Sequence, residues 1–289
     1  MLPSSFEYHR PESVDETLDL LATHGDEAKV LAGGQSLIPM MKLRFAAPER
    51  LVDINRIAGL DGIEERDGVL RIGALVRHHQ LEMSQVIRDR YPTIAAAAPQ
   101  IADPLVRNLG TIGGSLTHCD PSGDLGAVML AMGASVILRS TSGEREVPID
   151  GFLADTFAAA IEPNELLTEV RVPAPAARSG GAYLKLERKV GDFATVAAAI
   201  YLALDNGTVS TAGIGLTSVG LTNIHATAAQ DALVGSAPSE EAFAEAGRLA
   251  AGAANPAEDV RGSVEYKRHM VEVFVRRGLA RAHEMAGAA

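Results

Sequence analysis

The chain has 289 residues and a formal net charge of −11, with 47% hydrophobic and 22% charged residues. This length permits one large core or two to three smaller ones. The negative charge argues against a nucleic-acid partner and against an anionic membrane surface, because both need a basic face. Cys119 is the single cysteine, which excludes an internal disulfide and an iron–sulfur cluster held by this chain alone.

The N-terminal residues show no basic segment followed by an apolar one, so no secretory signal is expected. The longest apolar run, from Ala194 to Leu204, is about half the length of a membrane span. Together these observations predict a cytoplasmic protein without a membrane span.

Helix and strand alternate in the first part of the chain, residues 1–56. The stretch "SVDETLDLL" predicts a helix, because Ser13 and Glu16 have capping-box spacing and apolar residues recur on one face. Short strands are predicted at "AKVLA" and "LVDIN". Between them, Ser36 is expected to cap a helix that follows Gly33-Gly34.

The second part, residues 57–178, mixes a hairpin with helices. The hairpin is expected to turn at Asp67-Gly68, and helices are predicted at about 77–88 and 92–102. Further along, "LGAVMLAMG" predicts a helix, "ASVILRS" and "ELLTEVRVP" predict strands, and "STSGERE" predicts a turn. The Pro-, Ala- and Gly-rich "VPAPAARSGG" is the best candidate for a linker.

The third part, residues 179–289, begins as an antiparallel meander with Asn206-Gly207 as a two-residue turn. From about residue 222 the sequence is Ala-rich and predicts helices, the last at about 263–286. The fold class is therefore α+β in three parts.

The stretch "LAGGQSLIPMMKLR" places two glycines between a strand and a helix N-terminus. Such a turn can bind an anion, because unpaired backbone N–H groups point outward and no Cβ blocks a phosphate. Gln35 and Ser36 add side-chain donors. The alternative is a tight turn with a glycine cap and no ligand.

A second cluster, "GTIGGS", repeats this pattern at Gly110–Ser115. Two glycine-rich turns could bind a diphosphate from both sides. Neither turn matches the phosphate-binding pattern G-x-x-x-x-G-K-[ST] or the dinucleotide pattern G-x-G-x-x-G. The ligand that this combination favours is FAD rather than ATP.

Four stretches occur in a fixed order: "AGGQSLIPMMKLR", "RNLGTIGGSLTHCDPSGDL", "ELLTEVRVP" and "YLKLERKVGDFATVAAA". Together they resemble the FAD-binding medium subunits of the molybdenum hydroxylases. The similarity is greatest to the medium subunits of aerobic carbon monoxide dehydrogenase and their relatives, which include the flavin domain of xanthine dehydrogenase. The resemblance covers essentially the whole chain.

This resemblance implies a two-part FAD-binding domain of the vanillyl-alcohol-oxidase (PCMH) type, followed by a C-terminal domain with a three-stranded antiparallel sheet and helices. It also implies that Asp124 hydrogen-bonds the hydroxyls of the cofactor, with Asp120 close by. The expected FAD-binding residues are Ala32, Gly33, Gly34, Gln35, Ser36, Ile101, Thr111, Ile112, Gly113, Gly114, Ser115, Asp120, Asp124, Leu167, Lys185 and Phe193. Among these residues, Ile101, Leu167 and Lys185 match positions that contact the flavin or adenine parts.

Lys185 could stabilise negative charge on the reduced flavin ring, or it could be a solvated strand lysine. Phe193 stands where carbon monoxide dehydrogenase medium subunits tend to have tyrosine, so an aromatic face is kept and a hydroxyl is lost. Ser115 stands where some relatives have asparagine. Both differences weaken a specific assignment to carbon monoxide.

Other reactive side chains are expected to have ordinary roles. His78 and His79 are adjacent, so on a helix their side chains point apart and make a poor metal site. His118 and Cys119 lie beside the second glycine turn, where some flavoproteins of the wider fold attach FAD covalently. The subfamily that this chain resembles binds FAD without a covalent bond. No metal-ligating or catalytic acid–base residues are expected.

The resemblance implies an FAD-carrying electron-transfer subunit. A large partner subunit would hold molybdopterin, a small one would hold two [2Fe–2S] clusters, and the assembly would be a dimer of heterotrimers. Electrons would leave to quinone, oxygen or a nicotinamide. Carbon monoxide, an aldehyde, a purine and an N-heterocycle remain open as substrates. The alternatives are a stand-alone flavin oxidase or reductase, and a scaffold that has lost its flavin.

Overall fold

A computed structural model describes residues 2–288 and contains three sheets. The first sheet is parallel, in the order β1-β3-β2, and lies within the N-terminal part. Its strands and helices are β1 (Glu7–His9), α1 (Val14–His24), β2 (Ala28–Leu31), α2 (Leu37–Leu43) and β3 (Arg50–Asp53).

The start of α1 confirms the predicted cap. Ser13 has an extended backbone, and its Oγ accepts a hydrogen bond of 3.1 Å from the backbone N–H of Glu16. Leu18 and Leu21 are buried on the face that packs against the sheet. The local pattern of the sequence is sufficient here because a cap is made by neighbouring residues.

The second sheet has five antiparallel strands in the order β4-β5-β8-β6-β7. Asp67 and Gly68 form the predicted hairpin turn, with φ of 53° and 75°. The elements are β4 (Ile63–Arg66), β5 (Val69–Gly73), α3 (His78–Met83), α4 (Gln85–Arg90), α5 (Pro92–Ala97), α6 (Pro104–Leu109), α7 (Ile112–His118), α8 (Asp124–Ala131), β6 (Ser135–Ser140), β7 (Gly143–Pro148), α9 (Ile149–Phe152) and β8 (Leu166–Pro173).

Three boundaries in this part differ from the prediction. The helix expected at 77–88 breaks at Ser84, whose backbone is extended. The next helix ends at Ala97 and continues as a 3₁₀ turn, because Pro99 has no N–H for the α-helical bond. The expected turn "STSGERE" is mostly strand, since β7 pairs with β6 from Gly143 onward.

The third sheet is antiparallel in the order β12-β11-β10-β9, so a two-residue edge strand joins the three expected ones. Asn206 and Gly207 turn the β10–β11 hairpin with φ of 49° and 84°. The elements are β9 (Ser179–Leu186), β10 (Val196–Asp205), β11 (Thr208–Thr217), β12 (Ile224–His225), α10 (Thr227–Leu233), α11 (Glu240–Ala253) and α12 (Val264–Ala288).

Strand β10 is buried on both faces, and this joins the third sheet to the second part. Ala197 and Ala199 belong to the core built around α5 and α8, whereas Ala198 and Ile200 belong to the core under α11 and α12. Alternate side chains of a strand point to opposite faces, so one strand serves both cores.

The glycines of "VPAPAARSGG" serve close packing. The connection between β8 and β9 covers only residues 174–178, so Gly180 and Gly181 already lie in β9. A Cβ on Gly180 would lie 2.8 Å from Cβ of Met285 in α12, and one on Gly181 would lie 2.7 Å from N of Thr93 in α5. These glycines let helices approach the sheet from both sides.

Candidate functional site

The first glycine turn connects β2 to α2 and presents its backbone outward. Gly34 has a φ of 71°, a left-handed conformation that favours glycine. Within residues 2–288, no acceptor is found for the backbone N–H groups of Gly33, Gly34, Gln35 and Ser36. Four successive free N–H groups form the kind of concavity that binds an anion.

Ser36 does not cap α2, which corrects the sequence-based prediction. Its φ of −108° and ψ of −50° are helical, and its side chain makes no capping hydrogen bond. An N-cap needs an extended backbone so that the hydroxyl can turn back to the helix. The hydroxyl of Ser36 therefore has no structural partner in the turn.

The backbone N–H groups of the second glycine turn are hydrogen-bonded within the protein. Thr111 caps α7, and its Oγ1 accepts from the N–H of Gly114 at 3.2 Å. The N–H groups of Ile112 and Gly113 donate to the carbonyls of Val76 and Ala74, each at 3.0 Å, and Ser115 N–H donates to the carbonyl of Thr111 at 2.9 Å.

The two turns touch each other directly. A Cβ on Gly33 would lie 2.8 Å from Cα of Gly110 and would also overlap the carbonyl oxygen of Leu109. A Cβ on Gly114 would lie 3.9 Å from Cβ of Ala32, and its nearest neighbour would be Oγ1 of Thr111 at 2.8 Å. Gly33 is thus needed for the contact between the turns, and Gly114 faces the first turn across a narrow gap.

Asn55 and Arg77 bridge the two turns, and the sequence analysis did not single them out. Nδ2 of Asn55 donates to the carbonyl of Ala32 at 2.6 Å, and Oδ1 of Asn55 accepts from Nη2 of Arg77 at 2.7 Å. Nη1 of Arg77 donates to the carbonyl of Leu109. The available signal was the polar pair "D-x-N" at the end of a strand, on the same side of the sheet as the first turn.

A second polar group surrounds Asp124, at the first position of α8. Its Oδ1 accepts from the hydroxyl of Tyr183 at 2.5 Å, and its Oδ2 accepts from Nζ of Lys185 at 3.1 Å. Nζ of Lys185 also donates to the carbonyl of Gln100 at 2.9 Å and lies 3.6 Å from Oε2 of Glu187. The side chain of Lys185 is 1% exposed, so it is not the solvated strand lysine of the alternative interpretation.

Burial dominates the electrostatics of this cluster. It raises the pKa of Asp124, although the nearby Lys185 ammonium and the Tyr183 hydrogen bond oppose the shift. Burial and the Asp124 carboxylate raise the pKa of Tyr183 well above its usual value. Tyr183 is therefore a neutral donor at physiological pH, and it orients one oxygen of Asp124.

Ile101 lies next to this cluster, since it follows Gln100 in the chain, and it is 8% exposed. The loop that contains Phe193 reaches the same region, because a Cβ on Gly191 would lie 3.1 Å from the carbonyl of Ala102. Phe193 itself is 54% exposed. The structure thus brings Ile101, the Asp124 cluster and the loop carrying Phe193 into one neighbourhood.

Leu167 and Asp120 have different surroundings. Leu167 lies on β8 opposite Leu138 of β6 and is 3% exposed in the second core. Asp120 is partly buried, and its Oδ1 accepts from the N–H of Ser122 at 2.8 Å within the loop before α8. Helix α6, about 9 Å long at 1.5 Å per residue, connects the neighbourhood of Ile101 to the second glycine turn.

The histidines and the cysteine do not assemble into a cluster. His78 is buried, whereas the imidazole of its neighbour His79 is exposed and lies 3.5 Å from Glu82. Residues 2–288 contain no group of three side chains placed to hold a metal ion. The ring of His118 packs in a tilted arrangement against Phe157, with 5.0 Å between centroids, and burial raises the pKa of the Cys119 thiol.

Comparison with known families decides the identity of this arrangement. Residues 4–175 match the family model described as the FAD binding domain in molybdopterin dehydrogenase, and residues 181–282 match the CO dehydrogenase flavoprotein C-terminal domain. The chain belongs to this family of FAD-binding subunits. It is therefore a flavoprotein subunit of an oxidoreductase, and the predicted α+β fold and family resemblance are confirmed.

Individual relatives match over nearly their whole length. The chain is 45% identical to the carbon monoxide dehydrogenase medium chain of Hydrogenophaga pseudoflava, covering 96% of this chain and 97% of the relative. It is 41% identical to subunit alpha of the 6-hydroxypseudooxynicotine dehydrogenase complex of Paenarthrobacter nicotinovorans, with 98% and 96% covered.

A solved structure matches equally completely. It is that of carbon monoxide dehydrogenase from Hydrogenophaga pseudoflava which lacks the Mo-pyranopterin moiety of the molybdenum cofactor. The match has a TM-score of 0.96 and 47% identity, and it covers 99% of each chain.

The geometry fits an FAD diphosphate. The four free N–H groups of the first turn supply donors without a cation, and the missing side chain of Gly114 leaves the gap opposite Ala32 unfilled.

Among residues 2–288, no helix combines the length and the apolar character that crossing a membrane requires.

Proposed function

We propose that this chain is the electron-transfer subunit of a molybdenum hydroxylase complex, in which electrons pass from [2Fe–2S] clusters of a small partner subunit, through the FAD of this chain, to an external acceptor. The observation that carries the proposal is the open first glycine turn in a chain of the FAD-binding family. Bound FAD supplies chemistry that links one-electron donors to two-electron acceptors. Because this chain has one cysteine, the [2Fe–2S] clusters of the proposed pathway would be held by the partner subunit.

The FAD site would extend from the glycine turns to the Asp124 cluster. The first turn would bind the diphosphate through its backbone, and the second would limit the width of the cradle. Asp124 would accept hydrogen bonds from the cofactor hydroxyls, because Tyr183 and Lys185 hold its carboxylate in place. The proposed contacts are the residues expected from the sequence: Ala32–Ser36, Ile101, Thr111–Ser115, Asp120, Asp124, Leu167, Lys185 and Phe193.

Lys185 would stabilise negative charge on the reduced flavin ring. The carboxylates of Asp124 and Glu187 lie beside the Lys185 ammonium group, so they partly offset its positive charge and reduce its stabilisation of the flavin. Replacing the lysine, as in Lys185→Met, is expected to lower the flavin reduction potential. An unchanged potential in a variant that retains FAD would contradict this role.

The substrate would be oxidised on a large molybdopterin subunit rather than on this chain. Relatives at 45% and 41% identity are named for carbon monoxide and for a nicotine derivative, so similarity of this subunit does not select between them. Carbon monoxide is the first candidate, and an aldehyde, a purine or an N-heterocycle would be served by the same flavin subunit.

The assembly would be a dimer of heterotrimers. Within the chain, we propose three structural parts, residues 1–56, 57–178 and 179–289, each built around one of the three sheets. The first two parts would hold the diphosphate between their glycine turns, and the third would contribute Tyr183, Lys185 and Phe193.

The test is purification of the native complex, followed by an absorbance spectrum, acid release of the flavin and identification of the subunits. We expect FAD released without a covalent bond, iron–sulfur absorption and two further subunits. A lone chain that carries FAD and turns over a substrate would replace the proposal with a stand-alone oxidase or reductase. A colourless chain within the intact complex would indicate a scaffold.

A further inference from the structure

The two glycine turns belong to segments that are far apart in the sequence, and each is fixed by different neighbours. The first turn is anchored to β3, since the N–H of Ile54 donates to the carbonyl of Leu31 at 3.1 Å. The second is anchored to the segment after β5 through the bonds to Ala74 and Val76. A ligand held between the turns requires that these two anchors keep a fixed separation.

We propose that Asn55 and Arg77 form a positioning clamp that sets the separation of the two turns and so determines the affinity for the FAD diphosphate. This inference rests on the FAD site proposed above. The clamp runs from the carbonyl of Ala32 through Asn55 and Arg77 to the carbonyl of Leu109, with bonds of 2.6 Å and 2.7 Å at its first two steps. It therefore begins in one turn and ends beside the other.

Every polar atom of the Asn55 side chain has a partner. Nδ2 donates to the carbonyl of Ala32 and to Oδ1 of Asp53 at 2.7 Å, while Oδ1 accepts from Arg77. Reversing the amide would place its oxygen against two acceptors, so one orientation is fixed. Asp53 is held in turn by the hydroxyl of Tyr8, which donates to Oδ2 at 2.7 Å.

The guanidinium of Arg77 suits the other end of the clamp. The planar guanidinium donates from Nη2 to Oδ1 of Asn55 and from Nη1 to the carbonyl of Leu109. The backbone N–H of Arg77 donates to Oε1 of Gln80 at 2.7 Å. Arg77 also pairs with Thr111 as an isolated β-bridge, so its main chain is fixed against the second turn. A lysine has one amino group and cannot reproduce both side-chain bonds in this geometry.

Both bonded carbonyls lie where the turns meet. Leu109 O is the atom that a Cβ on Gly33 would overlap, and Ala32 is the residue across the gap from Gly114. Loss of the clamp would free the first turn to move relative to the second. The four N–H groups of the first turn would then no longer be preorganised for the ligand.

The test compares Arg77→Lys and Asn55→Asp with a matched control, Arg145→Lys. Asn55→Asp keeps the shape of the side chain and a partner for Arg77, yet it cannot donate to Ala32. Arg145 resembles Arg77 in donating to a backbone carbonyl, that of Ala160 at 3.1 Å, and to a second side chain, that of Glu165 at 2.7 Å, but it lies on β7 in the second sheet.

The full chain of each variant is titrated with FAD, and its unfolding midpoint is measured with and without FAD. Both clamp variants are expected to bind FAD at least about tenfold more weakly, the equivalent of one lost hydrogen bond. Their FAD-induced rise in midpoint should shrink accordingly, because ligand stabilisation depends on affinity. A purely structural role would lower the midpoint without FAD and leave the FAD-induced rise unchanged, as expected for Arg145→Lys.

Affinities within about twofold of the wild type in both clamp variants would overturn the clamp. The Gly114→Val variant reports separately on the proposed site, since its side chain would enter the gap opposite Ala32. Full FAD affinity in Gly114→Val would place the diphosphate elsewhere and overturn the proposed site. Lost affinity in Gly114→Val with unchanged affinity in Arg77→Lys and Asn55→Asp would overturn the clamp alone.

Discussion

The two glycine turns share a sequence pattern and differ in what their backbones do. In the first turn, the N–H groups of residues 33–36 have no acceptor within the described chain. In the second, the N–H groups of residues 112–115 are all bonded, to the segment after β5 and to Thr111. Two adjacent glycines therefore mark a turn with free backbone donors in one case and a tightly packed helix start in the other.

The difference shows that a glycine can be required for two separate reasons. Gly34 is needed for its left-handed conformation, whereas Gly113 is needed because Ala74 packs against it, with Cβ only 2.7 Å from the position a Cβ would take. The first property creates a turn that exposes donors, and the second allows close approach of chain segments. We therefore expect mutations to separate the proposed ligand binding from packing.

The largest expected effect separates two neighbouring glycines of the second turn. Gly113→Ala would press a methyl group against the backbone of Ala74 and should lower the free energy of unfolding by about 1–3 kcal/mol. Gly114→Ala lies in a helix, where alanine is favoured by up to about 1 kcal/mol, and this gain offsets the shift that its Cβ would force on the capping Oγ1 of Thr111, 2.8 Å away.

We therefore expect Gly114→Ala to change stability by less than about 1 kcal/mol while it weakens FAD binding about tenfold. Urea unfolding of the FAD-free chain and titration with FAD provide the two measurements. Equal stability losses in the two variants would show that both glycines are packing residues.

The pH dependence of unfolding tests the contribution of His78, which is buried beside the second turn. His78 packs on Gly110, and burial, assisted by Arg107 and Arg77, lowers the pKa of its imidazole from 6.5 to about 4. In the unfolded chain, the His78 imidazole binds a proton as the pH falls below 6.5, whereas in the folded chain it stays neutral until the pH approaches 4. Stability is thus complete above pH 6.5 and is lost as the pH falls toward 4, by about 2 kcal/mol at pH 5.

Unfolding at pH 7 and pH 5 would measure this loss in the wild type, in His78→Gln and in His79→Gln. We expect the loss to shrink by about 2 kcal/mol in His78→Gln and to persist in His79→Gln, whose side chain is exposed. The same pH dependence in all three proteins would show that other groups cause it.

The smallest effect concerns the hydroxyl groups that precede the two helices. Thr111→Ala removes a capping bond and should lower the free energy of unfolding by about 0.5–2 kcal/mol. Ser36→Ala removes a hydroxyl that caps nothing, so stability should change by less than about 0.5 kcal/mol. Thermal unfolding without FAD distinguishes them, and an equal loss in Ser36→Ala would mean that Ser36 does cap α2 in solution.

Features made by neighbouring residues could be predicted from the sequence. The Ser13 cap and the turns at Asp67-Gly68 and Asn206-Gly207 each depend on a few adjacent residues, and all three were found. The Ser36 cap was wrong, because the turn that leads into α2 places the backbone of Ser36 in the helical region. Sequence spacing alone could not report that torsion.

The candidate site was predictable in composition but not in its arrangement. Both glycine turns could be named from their motifs, and Asp124 from the family resemblance. The partners of Asp124 on β9 lie 59 and 61 positions further along the chain. In the proposed clamp, Asn55 and Arg77 are 22 positions apart. Such contacts depend on how the sheets pack, which local patterns do not encode.

The sequence by itself determined the family, the class of cofactor and most of the helices and strands, since ordered motifs and hydrophobic periodicity are properties of the chain read in order. The tertiary structure alone decided which glycine turn keeps its N–H groups free, and that Lys185 is buried beside Asp124 rather than solvated. The physical reason is that a hydrogen-bond donor or a charge is satisfied by whatever segment folds against it.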